Sequence, residues 1–192
     1  MKKHRGEYPC PIIQIHGWMS SPELEWLYQQ AKLHQYIVEI GSAFGRSSHA
    51  LLSGNYEAFQ ETGKVYCVDC WPVHVKGTKT EFDYSKKDVA RRLEFFRNVG
   101  HFPNLDIWEM TSGSAATFIR TLKGWESLGM VFLDGGTDQM EFDIYLWTSI
   151  GAPLLCGHDY SPEEYPNVVE VVDRLLPDRK IVPDTTIWYV ER

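Results

Sequence analysis

The chain has 192 residues, 43% of them hydrophobic and 14% aromatic, enough for one full core and too few for two comfortable domains. A formal net charge of −7 and a pI near 5.5 argue against a general nucleic-acid-binding or anionic-membrane surface. No apolar run approaches the ~18 residues of a bilayer span, and Cys10, Cys67, Cys70 and Cys156 are too sparse for a disulfide framework.

The N-terminus "MKKHRGEYPCPIIQIHGW" is basic but lacks the continuous apolar stretch of a signal peptide. The expectation is a reduced, soluble, cytoplasmic protein without nucleic-acid or membrane partners. One domain over 1–192 is expected, with 1–34 as a helical lead-in. "SPELEWLYQQAKLH" (21–34) opens on a Ser-Pro start signal, and Leu24, Leu27 and Ala31 recur at helical spacing. "YIVEIG" reads as a short strand covered on both faces, because it shows no alternation. Ser47 or Ser48 is expected to cap the helix that follows. "GKVYCVDCW" (63–71) is a second buried strand. The aromatic-rich "WPVHVKGTKTEFDY" (71–84) is a long irregular segment of the sort that carries substrate loops or lids.

A helix over 85–99 contains the one basic run, "KKDVARRLEFFR", which reads as a solvated face. "LDIWEM" (105–110) is a third strand and "SAATFIRTL" (114–122) a helix. "GMVFLDGG" (129–136) is a fourth strand, "MEFDIYLWTSI" a helix, and "APLLCGHDY" (152–160) a fifth strand ending in His-Asp. "NVVEVVDRLL" is helical, and "TTIWYVER" closes the chain as a strand whose exposed edge is a candidate surface for a homo-oligomer. Strands and helices alternate throughout. The fold expected is α/β: a Rossmann-like, doubly wound, mostly parallel sheet with helices on both faces and an antiparallel C-terminal strand.

Such sheets bind ligands at the carboxyl ends of their strands, where strand order reverses. The polar residues Glu39, Asp69, Asp134, His158 and Asp159 fall at those ends. Gly41 and Gly45 frame the first strand-to-helix turn as G-x-x-x-G, unlike a dinucleotide G-x-G-x-x-G, and no Walker lysine follows. Phosphate is therefore not the natural guest, although a plain structural turn satisfies the same pattern. Glu39 beside the loop repels phosphate and suits an ammonium. Asp69, 28 residues after Gly41, can accept hydrogen bonds from a ribose hydroxyl pair, and Trp71 can pack on a flat base. These features describe a cationic nucleoside, and S-adenosylmethionine (SAM) is one.

"IVEIGSAFGRSSHALL", "GKVYCVDCW", "MVFLDGGTDQMEFDIYLW" and "PLLCGHDYSPEEYPNVVEVVDRLL" resemble successive blocks of the class I SAM-dependent methyltransferases. The branch they resemble is methyltransferase domain 24, akin to cephalosporin-hydroxylase-like and macrocin-type sugar O-methyltransferases. The resemblance runs from about Ile12 to the chain end. It implies that Glu39, Gly41, Ser42 and Gly45 contact the methionine part, with Arg46 and Ser47 beside it. It also implies Asp69 on the ribose, Ser112 near the adenine edge, and Asp134 facing the methionine amine or a metal. The family usually carries an imidazole in "DG-x-H" after the fourth strand, where this chain has Thr137.

Asp134, His158 and Asp159 can make an oxygen/nitrogen site for Mg²⁺ or another divalent ion that binds substrate hydroxyls and lowers their pKa. His158 can instead act as a general base, or the pair can be hydrogen-bonded with no ion. The activity expected is O-methylation of a small, sugar-like acceptor, with Asp134, His158 and Asp159 as the catalytic set. The alternatives are an iron-dependent hydroxylase-like relative, or a protein that binds the cofactor without methyl transfer. Cys67 and Cys70 also form a C-x-x-C, but no second ligand pair accompanies them beyond His74, so two buried thiols flanking Asp69 are the plainer account.

Overall fold

The apolar runs pair into one sheet in a computed structural model that describes residues 15–71 and 86–192, side chains at 86–89 apart. The suggested substrate loop at 71–84 lies, but for Trp71, outside the described residues, as do Cys10 and His74. The elements are α1 (Ser21–Ala31), β1 (Tyr36–Ile40), α2 (Arg46–Phe59), β2 (Lys64–Asp69), α3 (Lys86–Val99), β3 (Leu105–Glu109) and α4 (Ser112–Ile119). They continue with β4 (Leu128–Leu133), α5 (Met140–Thr148), β5 (Leu154–Gly157), α6 (Pro166–Leu175), β6 (Lys180–Ile181) and β7 (Trp188–Glu191). Strand order is β3-β2-β1-β4-β5-β7-β6. Strands β1 to β5 pair in parallel, and β7 runs antiparallel to both β5 and β6.

The short strand β6 was not legible from the sequence, and it changes one expectation. β7 lies between β5 and β6 rather than at the sheet edge, with β6 covering its Trp188 and Tyr189. Strand order reverses between β1 and β4, which is where a doubly wound sheet opens a ligand crevice.

Successive strand residues point to opposite faces, and the core divides accordingly. Ile37, Val65, Cys67, Met130 and Phe132 pack with Leu24, Leu27, Leu51 and Phe95 from α1, α2 and α3 on one face. Val38, Ile40, Val68, Val131 and Leu133 pack with Ala115, Ile144, Trp147 and Val172 from α4, α5 and α6 on the other. Glu39 thereby shares the face of Ile37, under α2, which decides its role below. On α3, Phe95 and Val99 are buried, while Arg92 reaches the Glu109 carboxylate with Nε 2.9 Å away. Of the basic run, Arg97 is exposed, whereas Arg91 and Arg92 are half-buried, Arg91 over the Phe44 ring. Among the described residues no helix is long and apolar enough to cross a membrane.

Candidate active site

The loop after β1 is held tightly from both sides. The Gly41 N–H donates to the Val68 carbonyl at 2.8 Å, and the Asp134 N–H donates to Ile40 at 2.8 Å. Gly41 has φ +92°, and a Cβ there would overlap the Asp134 carbonyl oxygen and stand 2.6 Å from its carbon. Only glycine meets both demands. Gly45 has φ +86° and is the N-cap of α2. The helix therefore does not start at Ser47 or Ser48, which instead lie buried in its first turn.

Those serines face Glu39. Its carboxylate is fully buried, with Oε2 accepting from Ser42 Oγ at 2.7 Å and from Ser48 Oγ. Burial pushes its pKa up, and the hydroxyls of Ser47, Ser48 and Ser42 pull it back. Glu39 Oε1 makes no hydrogen bond among the described residues. It is a buried acceptor with unused capacity directly beneath the loop, a good fit for an ammonium or a bridging water. Cys67, on the same face, is fully buried with its thiol pKa raised by that burial. Cys70 is exposed, so the expected pair of buried thiols is not formed.

Asp69 ends β2 as expected, but both its oxygens fasten the neighbouring backbone. Oδ2 accepts the N–H of Ala43 at 2.8 Å, and Oδ1 that of Trp71 at 2.9 Å. Trp71 Nε1 closes the arrangement on the Ala43 carbonyl at 3.0 Å. Ala43 has φ +45°, an unfavourable value for an L residue, and the Asp69 bond holds it there. Trp71 packs on Phe95 with ring centroids 4.7 Å apart, as a core tryptophan would.

The cleft itself, about 280 Å³ including its open mouth, lies between this loop and a strap, 15–19, that the sequence did not reveal. Gly41, Ser42, Ala43 and Asp134 form one wall; His16, Trp18 and Met19 form the other. Arg46 fastens the strap, its Nε donating to the Met19 carbonyl at 3.0 Å and its guanidinium to Ile15 at 2.6 Å. Its charge is thus directed at the strap carbonyls, although its side chain also lines the cleft. Further along the rim, the Ser112 hydroxyl accepts from Trp147 Nε1 at 2.9 Å and supports the buried Asp143, whose pKa burial raises. The Ser112 hydroxyl is therefore committed to α5, and what remains for a ligand at this corner is the start of α4.

Asp134, His158 and Asp159 converge just past β4 and β5. Their ligand-type atoms lie within 4.8 Å of one another, the one such cluster among the described residues. His158 Nδ1 stands 2.8 Å from Asp159 and 3.5 Å from Asp134. Asp159 sits at φ +66°, a left-handed conformation costing roughly 1–2 kcal/mol outside glycine. A fourth member, Glu23 on α1, places Oε1 3.3 Å from His158 Nε2.

Burial works against the imidazolium, but Asp159, Glu23 and Asp134 outweigh it and push the His158 pKa up to about 10. Burial, opposed by His158 and aided by Asp159, pushes Asp134 up to about 8. Glu23 moves the other way: burial raises its pKa, yet His158, Thr186 and Ser20 bring it well below the carboxylate range. Three carboxylates around one imidazole leave negative charge in excess. The donor set fits an added cation, whether a divalent metal on Asp134, His158 Nδ1 and Asp159 or a substrate ammonium. Thr137, where the family carries an imidazole, offers its backbone carbonyl to Asn167 Nδ2 at 3.1 Å.

A reversal-point cleft in a seven-stranded sheet of this order, with acids at three strand ends, is the architecture of an α/β ligand-binding enzyme domain. Residues 38–160 match the family described as methyltransferase domain, and the chain belongs to that family. No curated protein sequence matches. Among solved structures the chain is similar to the SAH-bound methyltransferase PaMTH1 of Podospora anserina, with 15% identity over 91% of this chain and 79% of that one, TM-score 0.61. It is also similar to an O-methyltransferase from Bacillus cereus in complex with SAH, at 12% identity over 94% and 86%, TM-score 0.63. CalS11, a TDP-rhamnose 3′-O-methyltransferase of calicheamicin biosynthesis, gives 11% identity over 88% and 76%, TM-score 0.58. At such identities the likeness is one of fold.

Proposed function

We propose that the chain transfers a methyl group from SAM to an oxygen of a small hydroxylated acceptor of the sugar type. The observation that carries this reading is the buried Oε1 of Glu39, unpartnered among the described residues, directly beneath a cleft that Gly41, Ser42 and Asp134 line at the reversal point of the sheet. Carboxyl acceptors there suit the ammonium of a sulfonium nucleoside and offer nothing to a phosphate. The structures named above with SAH bound, and the sugar-directed CalS11, support the donor and the acceptor class respectively.

In this reading Gly41, Ser42 and Gly45 let the methionine end approach the backbone, with Glu39 beneath, Arg46 holding the strap and Ser47 supporting Glu39. Asp69 shapes the ribose wall by fixing Ala43, and the helix start at Ser112 borders the adenine. The sulfonium supplies an electrophilic methyl carbon; an acceptor oxygen takes it as the carbon–sulfur bond breaks, leaving neutral SAH and one proton to dispose of. Asp134, in its ionised form, which gains ground as pH rises toward its pKa of about 8, can take that proton. His158 and Asp159 orient the acceptor hydroxyl. A divalent ion held by Asp134, His158 and Asp159 would supply acidification of that hydroxyl.

Calorimetric titration with SAM and SAH tests the donor. Heat of binding with micromolar affinity is expected, and no binding at millimolar ligand would end the reading. Arg46→Ala should weaken SAH binding roughly tenfold, because two charge-assisted bonds that hold the strap are lost. An unchanged affinity in the folded variant would show that the strap does not close on the donor. Asp134→Asn should lower methyl-transfer turnover at least ~10²-fold, assayed as SAH released with a panel of sugars and sugar nucleotides. Turnover near the original level would remove Asp134 from the chemistry.

A further inference from the structure

Glu23 is 4% exposed on the first turn of α1, and its two oxygens do different things. Oε2 accepts from the N–H and Oγ of Ser20 at 2.7 and 2.8 Å, a capping box. Helix capping asks no more of a carboxylate than that. Oε1 is directed away from its own helix. It accepts from the Thr186 N–H at 2.9 Å and Thr186 Oγ1 at 3.0 Å, 163 residues along the chain, and stands 3.3 Å from His158 Nε2. The opposite ring nitrogen, Nδ1, faces Asp159 and Asp134. Glu23 thus faces the Nε2 edge of the imidazole at ion-pair distance, with no aligned hydrogen bond between them, while the two aspartates face the other edge.

We propose that Glu23 is the positioning residue of this cluster: its carboxylate opposite His158 Nε2 favours the proton on that nitrogen and so presents Nδ1, beside Asp134 and Asp159, as the nitrogen donor to a divalent cation. The proposal rests on the reading of that cluster as the acceptor end of the site. An imidazole that binds a metal commonly gives its other N–H to a carboxylate, which fixes tautomer and ring orientation; loss of that partner costs ten- to a hundredfold in metal affinity. One imidazole with two carboxylates suits a borderline first-row ion, such as Mn²⁺ or Co²⁺, better than Mg²⁺. Four bonds tie Glu23 at both ends, so it moves little when a ligand arrives.

The experiment is a titration with Co²⁺, followed by its visible ligand-field absorption, of the full chain and two variants. Glu23→Gln removes the charge but keeps an acceptor for the Ser20 cap. Thr186→Val removes one tether of Glu23 and leaves its contact with His158. The expected result is a Co²⁺ Kd raised roughly ten- to a hundredfold in Glu23→Gln and unchanged in Thr186→Val. Histidine ¹⁵N spectra of the unsubstituted protein with Zn²⁺ need no variant to fold, with His158 assigned by its loss in His158→Gln; they should show Nε2 protonated and Nδ1 metal-bound. Metal on Nε2, a folded Glu23→Gln variant with unaltered Co²⁺ affinity, or no binding of either ion to the unsubstituted protein would each overturn the proposal. Because SAH calorimetry is independent of these measurements, failure here leaves the methyltransferase reading intact.

Discussion

Gly41→Ala is expected to leave little folded protein. The added carbon would collide with backbone, namely the Asp134 carbonyl and, at 2.8 Å, the Gly135 nitrogen, in a residue already at φ +92°. Backbone in a sheet cannot swing aside as a flexible side chain does. Relief would mean parting β1 from β4 just where Asp134 N–H bonds Ile40. We expect a loss on the order of 4 kcal/mol or more, a large part of the 5–15 kcal/mol typical of a domain. Gly124→Ala is the control, since Gly124 has a similar φ of +84° but nothing within 4 Å of the added carbon. It should lose only the conformational part, about 1 kcal/mol. Thermal unfolding of the two variants separates collision from strain. Equal losses would mean that the contact with Asp134 is immaterial.

His158→Ala should cost ~3–5 kcal/mol, because it leaves Glu23, Asp134 and Asp159 facing one another without their cation. The pH dependence follows from the shifts. His158 is raised in the folded state from 6.5 to about 10; its stabilisation is complete below 6.5 and is lost as pH rises toward 10. Asp134 is raised from 3.8 to about 8, so the folded state also loses ground through that interval as the acid must ionise. Glu23 is lowered from 4.5, and its contribution is lost as pH falls below that value. The cluster is therefore most stabilising between about pH 3.8 and 4.5; Asp134 alone lowers that contribution up to pH 6.5, and His158 adds to the decline above it. Above about pH 8 the remaining decline belongs to His158; in an Asp134→Asn background, where the neighbouring acid no longer titrates, adding His158→Ala should flatten that portion. Denaturant unfolding in chelator from pH 5 to 10 measures it. The same slope above pH 8 with and without His158→Ala in that background would refute the assignment.

The alternation of apolar runs with helical segments was enough to read the α/β fold, because buried parallel strands need no polar face and so stand out as uninterrupted β-branched stretches. The same lack of alternation hid which face each residue took. Glu39 read as a carboxylate beside the loop, and the two-residue period beginning at Ile37 turns it beneath that loop, under α2 among serines. Those serines then looked like helix caps, though Gly45 holds that position. Asp69 and Asp134 were legible as strand-end acids; that Asp69 spends both oxygens on the backbone of Ala43 and Trp71 was not. Glu23 carried a visible signal, the Ser20-x-x-Glu23 capping box. Its reach to Thr186 and His158 had none, since contacts across 163 residues leave no local pattern. Arg46 is similar: the family resemblance placed it beside the methionine part, and its bonds to the carbonyls of Ile15 and Met19 had no local pattern to announce them.

The Gly41–Asp134 contact has a bearing on how such an enzyme changes over time. A base in which two strands touch atom to atom has no slack, so the donor must meet the same unyielding surface whatever acceptor is offered. Altered preference for acceptors then has to arise at the margin, in the strap carrying the exposed Trp18, where a side chain can be exchanged without disturbing the sheet.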